Sequence, residues 1–236
     1  MSEWKAKRFW KSARLAPSGS GYGIQLDGRP VKTPAKSELV VPSEALAQAI
    51  ALEWEAQGEV VNPLSMPMTR SANAAIDKVT VQHAEVAELV AAYGDTDLLC
   101  YRADGPDSLV TRQTETWDPL LDWACERFGA RLEPVSGVMH RPQNPEALAI
   151  LTHNVQEMDA FTLTAFHELV GLSGSLVIGF ATLYDYAEPA TLWSWSRIDE
   201  TWQAEQWGVD DEAQELAEHK LGEFEHAKRF HDLAIK

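Results

Sequence analysis

The parts of this sequence that most resemble a metal-binding motif contain histidines. His167 and Glu168 begin a His-Glu-x-x-His sequence, the helical motif that binds zinc in many proteases. Position 171, where the second histidine must stand, is a glycine, so the motif is incomplete. His219, Glu223 and His226 follow at spacings of four and three residues, near one face of a terminal helix. Such a group on an exposed helix is usually a solvated face, so we predict no metal and no cofactor.

Three aspartates, Asp77, Asp95 and Asp97, could supply carboxylates for acid–base chemistry. Asp95 and Asp97 form an Asp-Thr-Asp sequence after a glycine, a pattern more typical of a helix cap than of a catalytic pair. The sequence contains neither GxxxxGK nor GxSxG, the motifs of a phosphate loop and of a nucleophilic serine. We predict no catalytic residues, and the alternative is an enzyme that uses these three aspartates.

The charge of the chain is concentrated in two segments. Residues 1–40 carry eight Lys or Arg and three acids, whereas residues 199–225 carry ten acids and one base, within a net charge of −16. This predominantly negative charge disfavours nucleic acid as a partner, because phosphate binding needs clustered Lys and Arg. Four tryptophans lie in or beside the acidic segment: Trp193, Trp195, Trp202 and Trp207. Aromatic residues bordering charge are common in protein-binding surfaces, although acidic residues can also serve solubility alone.

The composition is that of a globular protein in a reducing compartment. The 236 residues, 45% hydrophobic and 24% charged, suit one large domain or a small domain joined to a larger one. No apolar run of about 18 residues is present, so we predict no membrane insertion. Cys100 and Cys125 lack a CxxC pattern and are predicted to be reduced core residues. The basic N-terminus lacks the apolar core of a secretory signal, and Trp4, Phe9 and Trp10 favour a folded domain over a transit peptide.

The first 42 residues carry the signals of a small antiparallel sheet. Asp27 and Gly28 form a hairpin turn signal, because glycine tolerates the positive φ that such turns need. Strands are predicted over residues 8–11, 22–26, 31–34 and 39–41.

From Ser43 onward the periodicity becomes helical. Ser43 can cap a helix through its hydroxyl, and Leu46, Ile50 and Trp54 then form one buried stripe. Later helices are predicted over residues 69–79, 81–93, 118–129, 147–159, 161–171, 176–186, 190–206 and 210–233. The predicted fold class is α+β, with a small N-terminal antiparallel β domain followed by a larger all-helical domain. The β-rich domain with its one helix spans residues 1–62, and the helical domain spans residues 63–236.

Several segments resemble one family in their order along the chain. Residues 26–58, LDGRPVKTPAKSELVVPSEALAQAIALEWEAQG, resemble the N-terminal half of the assembly chaperones that bind the alpha subunit of the F-type ATP synthase. Four later strings are similar to later motifs of that family: MPMTRSANAAID, DTDLLCYRA, WDPLLDW and WQAEQWG. The resemblance covers nearly all of the chain. Ser71 departs from it, since the family carries a bulkier apolar residue there.

This resemblance implies a function without catalysis. Members of the family bind the free alpha subunit of the catalytic sector and cover the surface that the beta subunit later occupies, until partner subunits displace them. The family also has a two-domain fold, β-rich and then helical. From the resemblance we expect a form without the long presequence of mitochondrial members. We therefore expect a monomeric protein of the bacterial cytoplasm, or of the mitochondrial matrix if this is a mature organellar form.

The resemblance also points to partner-binding residues. The acidic position that precedes the family's Trp-Gly motif maps onto Glu200, and its neighbours Asp199, Trp202 and Glu205 complete the predicted site. A simpler interpretation of Glu200 is a surface carboxylate that pairs with Arg197, three residues earlier. A third function remains open beside chaperone and enzyme, namely a scaffold protein that stays in its complex.

Overall fold

The computed structural model describes residues 7–236, which form two compact units. The first unit comprises the described residues up to His83 together with Asp159–Ala165 and Arg229–Lys236; the second comprises Ala84–Met158 and Phe166–Lys228. Trp4 lies outside the described residues. The predicted domains, residues 1–62 and 63–236, stay a prediction, because spatial grouping does not establish which segments fold independently.

The first unit contains a four-stranded antiparallel sheet. Its strands are β1 Ala13–Ser18, β2 Gly21–Leu26, β3 Arg29–Pro30 and β4 Val40–Val41, and β2 pairs with each of the others. Asp27 and Gly28 have positive φ angles of 49° and 80°, which confirms the predicted hairpin turn. The Asp27 carboxylate accepts hydrogen bonds from the backbone N–H groups of Lys11 and Ser12, and these bonds lower its pKa. The turn is therefore tied to the segment that enters β1.

Two strand predictions were wrong. The strand predicted over residues 31–34 lies earlier, as β3, and residues 31–34 contain only an isolated bridge between Lys32 and Glu38. Residues 8–11 form no strand, and the preceding residue Lys7 makes an isolated bridge to Val60. The paired strand is β1, which the sequence did not signal because its apolar residues do not alternate and Pro17 lies within it. Proline is tolerated there because β1 is an edge strand, with β2 on one side only.

Helix α1, Glu44–Glu55, begins where the sequence predicts. The Ser43 hydroxyl accepts a hydrogen bond from the Leu46 N–H at 3.0 Å, which confirms the cap. Leu46 and Ile50 are fully buried in a core that also contains residues of β2. Trp54 is half-buried and packs edge-to-face on Trp10, with ring centroids 5.2 Å apart, so it lies at the margin of that core.

The remaining helices mostly belong to the second unit. After α2, Pro67–Ala74, and a π-helical turn at Ala75–Val79 in the first unit, the chain forms α3 His83–Ala91, α4 Asp107–Phe128, α5 Pro145–Gln156, α6 Ala160–Ser173, α7 Leu176–Leu183, α8 Pro189–Ser196, α9 Ile198–Trp207 and α10 Asp211–Ala234. Short 3-10 helices lie at Pro63–Ser65, Ala92–Thr96 and Leu98–Cys100, and β5 Tyr101–Arg102 pairs in parallel with β6 Val135–Ser136. Helices α6 and α10 each contribute residues to both units. The predicted α+β class, a small antiparallel sheet followed by a largely helical remainder, is confirmed.

Helix α4 also corrects a helix prediction. The sequence suggested a helix start at Asp118, with Pro119 in the first turn, but the helix begins at Asp107 and Pro119 lies inside it. A proline within a helix costs about 3 kcal/mol. The buried stripe of α4 continues on both sides of it, through Trp117 and Leu120, so tertiary packing outweighs that cost.

Helix α7 is buried along its whole length, since every residue from Leu176 to Leu183 is buried. Among residues 7–236, no helix is both long enough and apolar enough to cross a membrane.

Candidate functional site

The predicted site lies on α9, which the chain reaches through a break that the sequence did not signal. We predicted one helix over residues 190–206, but α8 ends at Ser196 and α9 begins at Ile198. At the break, Arg197 has φ −113° and ψ 19°, and its N–H bonds the Ser194 carbonyl. Ile198 is buried and anchors the start of α9 within the second unit. Asp199 and Glu200 therefore lie in the first turn of α9. Carboxylates are favoured there by the helix dipole.

Glu200 has the local partner that the simpler interpretation named. Its Oε1 atom lies 2.7 Å from Nη1 of Arg197, while 48% of the Glu200 side chain stays exposed. The Arg197 guanidinium in turn lies 5.7 Å from the ring centroid of Trp193. Exposed pairs at this helical spacing contribute about 0.2–0.5 kcal/mol, so the pair orients Glu200 without stabilising the fold substantially.

Asp199 and Glu205 hold α9 against α4. Asp199 accepts a hydrogen bond from Nε2 of Gln113 at 2.6 Å, and Gln113 is buried. Glu205 receives two bonds from the guanidinium of Arg112, at 3.0 and 2.9 Å. The paired guanidinium lowers the pKa of Glu205. Both carboxylates therefore position the helix.

Trp202 and Trp207 form an edge-to-face pair near the end of α9. Their ring centroids lie 5.7 Å apart, at an interplanar angle of 88°. Trp202 is half-buried, whereas Trp207 is 75% exposed. An indole held by a ring neighbour and open to solvent is a frequent anchor of protein interfaces. The sequence placed both tryptophans in the acidic segment but singled out Trp202, and the structure makes Trp207 the more accessible ring.

A groove of about 740 Å³ separates α9 from the first half of α10. Glu200 and Glu205 line it, and so does Trp207, whereas Asp199 and Trp202 do not. The opposite wall contains Ala213, Ala217 and Leu221, spaced four residues apart along α10. This spacing was the signal in the sequence for an apolar stripe on α10, which our sequence analysis missed.

Each of the three aspartates of the alternative enzyme site has structural hydrogen-bond partners within its own unit. Asp77 belongs to the first unit, where it accepts hydrogen bonds from the Thr33 hydroxyl at 2.6 Å and the Ala35 N–H at 2.9 Å. Asp95 belongs to the second unit and accepts a bond from the N–H of Gln143 at 2.8 Å. Each carboxylate bonds a loop or strand segment, as a structural aspartate does.

Asp97 is wholly buried and caps two helices. Its carboxylate accepts bonds from the Leu99 N–H at 3.0 Å, the Ser175 hydroxyl at 2.8 Å and the Val177 N–H at 3.1 Å. Burial raises the pKa of Asp97 to about 6, against the lowering effect of these donors. The predicted capping role of the Asp-Thr-Asp sequence is confirmed for this residue.

The candidate metal ligands stand in pairs. His219 Nε2 lies 3.5 Å from Glu223, and His167 Nδ1 lies 3.4 Å from Glu168. The part of the chain that the structure describes holds no group of three His, Cys, Asp or Glu side chains placed to bind a metal. Cys100 and Cys125 are both free; burial raises the thiol pKa of Cys100.

Comparison with known proteins identifies the class of this protein as a chaperone. The model of the family described as ATP12 chaperone protein matches residues 7–125. Together with the structural likeness below, this shows that the chain belongs to the ATP12 chaperone family, and it is a chaperone of ATP synthase assembly. The family resemblance found in the sequence is confirmed.

Relatives extend the likeness over nearly the full chain. The chain is 27% identical over 228 residues to "Protein atp12, mitochondrial" of Schizosaccharomyces pombe, covering 91% of this chain and 78% of that protein. The crystal structure of Atp12 from Paracoccus denitrificans is 47% identical, with a TM-score of 0.95 over 98% of this chain and 100% of that one. A structure from Agrobacterium tumefaciens is 42% identical, with a TM-score of 0.91 over 98% of this chain and 86% of that one.

Proposed function

We propose that this chaperone binds the unassembled alpha subunit of the F-type ATP synthase catalytic sector and shields its beta-facing surface until partner subunits displace it. Membership of the ATP12 chaperone family supports assembly as its role. The proposed place of action is the bacterial cytoplasm, or the mitochondrial matrix for an organellar form, and the proposed free state is a monomer.

The observation that carries this proposal is the exposed edge of α9. Glu200 and Trp207 both line the groove, and Trp207 is 75% exposed. An unassembled subunit exposes interface surface that aggregates when left uncovered. A chaperone that covers it must also release it, so a contact that combines one apolar anchor with charge is better suited than a wholly apolar one.

The four predicted partner-binding residues divide into two roles. Glu200 is the proposed direct contact, because its carboxylate is half exposed beside the groove. Asp199 and Glu205 hold α9 on α4 through Gln113 and Arg112. Trp202 supports the exposed ring of Trp207, which we add to the proposed contact surface.

We further propose that the protein is not an enzyme. Support comes from Asp77, Asp95 and Asp97, whose carboxylates are each engaged by backbone or hydroxyl groups. Chaperone family membership favours the same conclusion.

The proposal is tested by an aggregation assay with purified alpha subunit. We expect an equimolar amount of this protein to suppress light scattering by the alpha subunit, whereas an equal mass of albumin does not. Addition of the beta subunit should then release this protein from the complex. Unchanged scattering would refute the proposal, and retention of the chain in a complex with both subunits would support the scaffold instead.

A further inference from the structure

The groove between α9 and α10 has an apolar floor that the protein itself does not fill. The helices are joined by residues 208–210 and border a groove of about 740 Å³. Ala213 and Ala217 are small, so the α10 backbone is open to close approach, and Leu221 and buried Trp193 also line the groove. Val209, in the connector, lines it as well and is 65% exposed. The open length of α10 therefore offers small apolar side chains at four-residue spacing.

The rim of this groove is acidic. The charged side chains that line it are four carboxylates and one guanidinium: Glu200, Glu205, Asp210, Glu218 and Arg197. Glu200 is paired with Arg197, and Glu205 with Arg112, which lies outside the groove. Among residues 7–236, no ion pair is formed by Asp210 or Glu218. The rim carboxylates without a cationic partner among residues 7–236 are therefore Asp210, just before α10, and Glu218, on α10.

We infer that the groove binds an amphipathic helix of the alpha subunit, with apolar side chains on its buried face and Lys or Arg at its edges. This inference rests on the proposed function and specifies how the partner is held. A third helix suits two helical walls, because side chains at spacings of three and four interlock with a stripe at spacing of four. Basic edges would give a cationic partner to Asp210, which accepts a hydrogen bond from the Glu212 N–H, and to Glu218, which accepts one from Gln214.

Charge also argues against other occupants. A second copy of this chain would bring another acidic α9–α10 surface, since residues 199–225 carry ten acids and one base. An anionic membrane would repel the same rim. A basic helix is therefore the occupant that the groove's chemistry favours.

A variant that fills the groove tests the inference without altering its charge. Ala213→Trp places an indole over the floor of α10, at an exposed position that leaves the core untouched. Ala149→Trp is the matched control, because Ala149 is an exposed alanine in helix α5 outside the groove. We expect Ala213→Trp to weaken capture of purified alpha subunit by about tenfold or more, with Ala149→Trp at the wild-type level and both melting curves unchanged.

A photocrosslink identifies the segment that is bound. With benzoylphenylalanine in place of Ala213, the crosslinked alpha-subunit peptide should contain Lys or Arg beside apolar residues at helical spacing, and should gain helical circular dichroism when added to the chaperone. An acidic or extended peptide, or undiminished capture by folded Ala213→Trp, would overturn the inference while leaving the proposed function intact. Failure of the wild-type chain to capture the alpha subunit would instead overturn the proposed function, and the inference with it.

Discussion

Two helix N-termini of the second unit carry carboxylates in opposite ways. Asp97 is 0% exposed and bonds groups at the start of α7, including the Ser175 hydroxyl and the Val177 N–H. Glu200 stands in the first turn of α9, is 48% exposed and pairs with Arg197 alone among the described side chains. The Asp97 carboxylate accepts hydrogen bonds from buried donors inside the fold, whereas the exposed Glu200 carboxylate can accept further hydrogen bonds from a partner.

The surroundings explain this difference. Helix α7 is buried along its whole length, so each of its first N–H groups needs a partner within the protein. Helix α9 has one buried residue, Ile198, and its remaining surface faces the groove, α4 or solvent. Substitutions at α7 should therefore change stability, and substitutions on the groove side of α9 should change binding.

The largest stability effect is expected for Asp97→Asn. The amide keeps one acceptor oxygen but turns an NH₂ donor towards an N–H group that Asp97 now satisfies. Leaving buried donors unsatisfied costs about 2–4 kcal/mol in total. Urea unfolding measures this loss, and the exposed Asp210→Asn provides a control expected to change it little. Equal stability of the two variants would remove the contrast between α7 and α9.

The next largest effect is the pH dependence that Asp97 gives to the free energy of unfolding. Because the pKa of Asp97 is about 6 in the folded state and ordinarily 3.8, the folded state holds its proton more tightly. This contribution to stability is complete below the ordinary pKa and is lost as pH rises through about 6, by up to about 3 kcal/mol. The gap in unfolding free energy between wild type and Asp97→Asn should therefore shrink between about pH 4 and pH 7 and stay level at higher pH. A constant gap would show that Asp97 is ionised throughout.

Sequence reasoning predicted the local signals and missed what depends on distant packing. The Ser43 cap and the Asp27-Gly28 turn are short-range hydrogen-bond and φ effects, so their residue types were sufficient. The first turns of α4 were missed because Pro119 resembles a helix start, and only the buried stripe around it shows otherwise. The break at Arg197 has no glycine or proline to mark it.

The candidate site, like the fold, could be predicted only in part from the sequence. The family resemblance indicated Glu200, and the acidic segment indicated its surroundings. The groove itself could not be predicted, because it depends on how α9 and α10 are placed relative to one another. For the same reason, Asp199 could not be distinguished from Glu200 until its bond to Gln113 was seen.

A small stability effect is expected for Glu205→Gln. The pair with Arg112 is largely exposed and therefore screened by water and salt. The thermal midpoint should stay within error of wild type, in low and in high salt. A pronounced fall in low salt alone would show that this ion pair stabilises the fold, and would make α9 more like α7 than we propose.

The central claim is that Glu200 serves binding rather than folding, and Glu200→Lys tests it most directly. Its matched control is Glu146→Lys, the same charge reversal in the first turn of α5, outside the groove. Loss of the Arg197 pair should cost only about 0.2–0.5 kcal/mol. We predict that both variants melt near wild type and that only Glu200→Lys loses capture of purified alpha subunit, by about tenfold or more. Wild-type capture by folded Glu200→Lys, or an equal loss in both variants, would contradict this account.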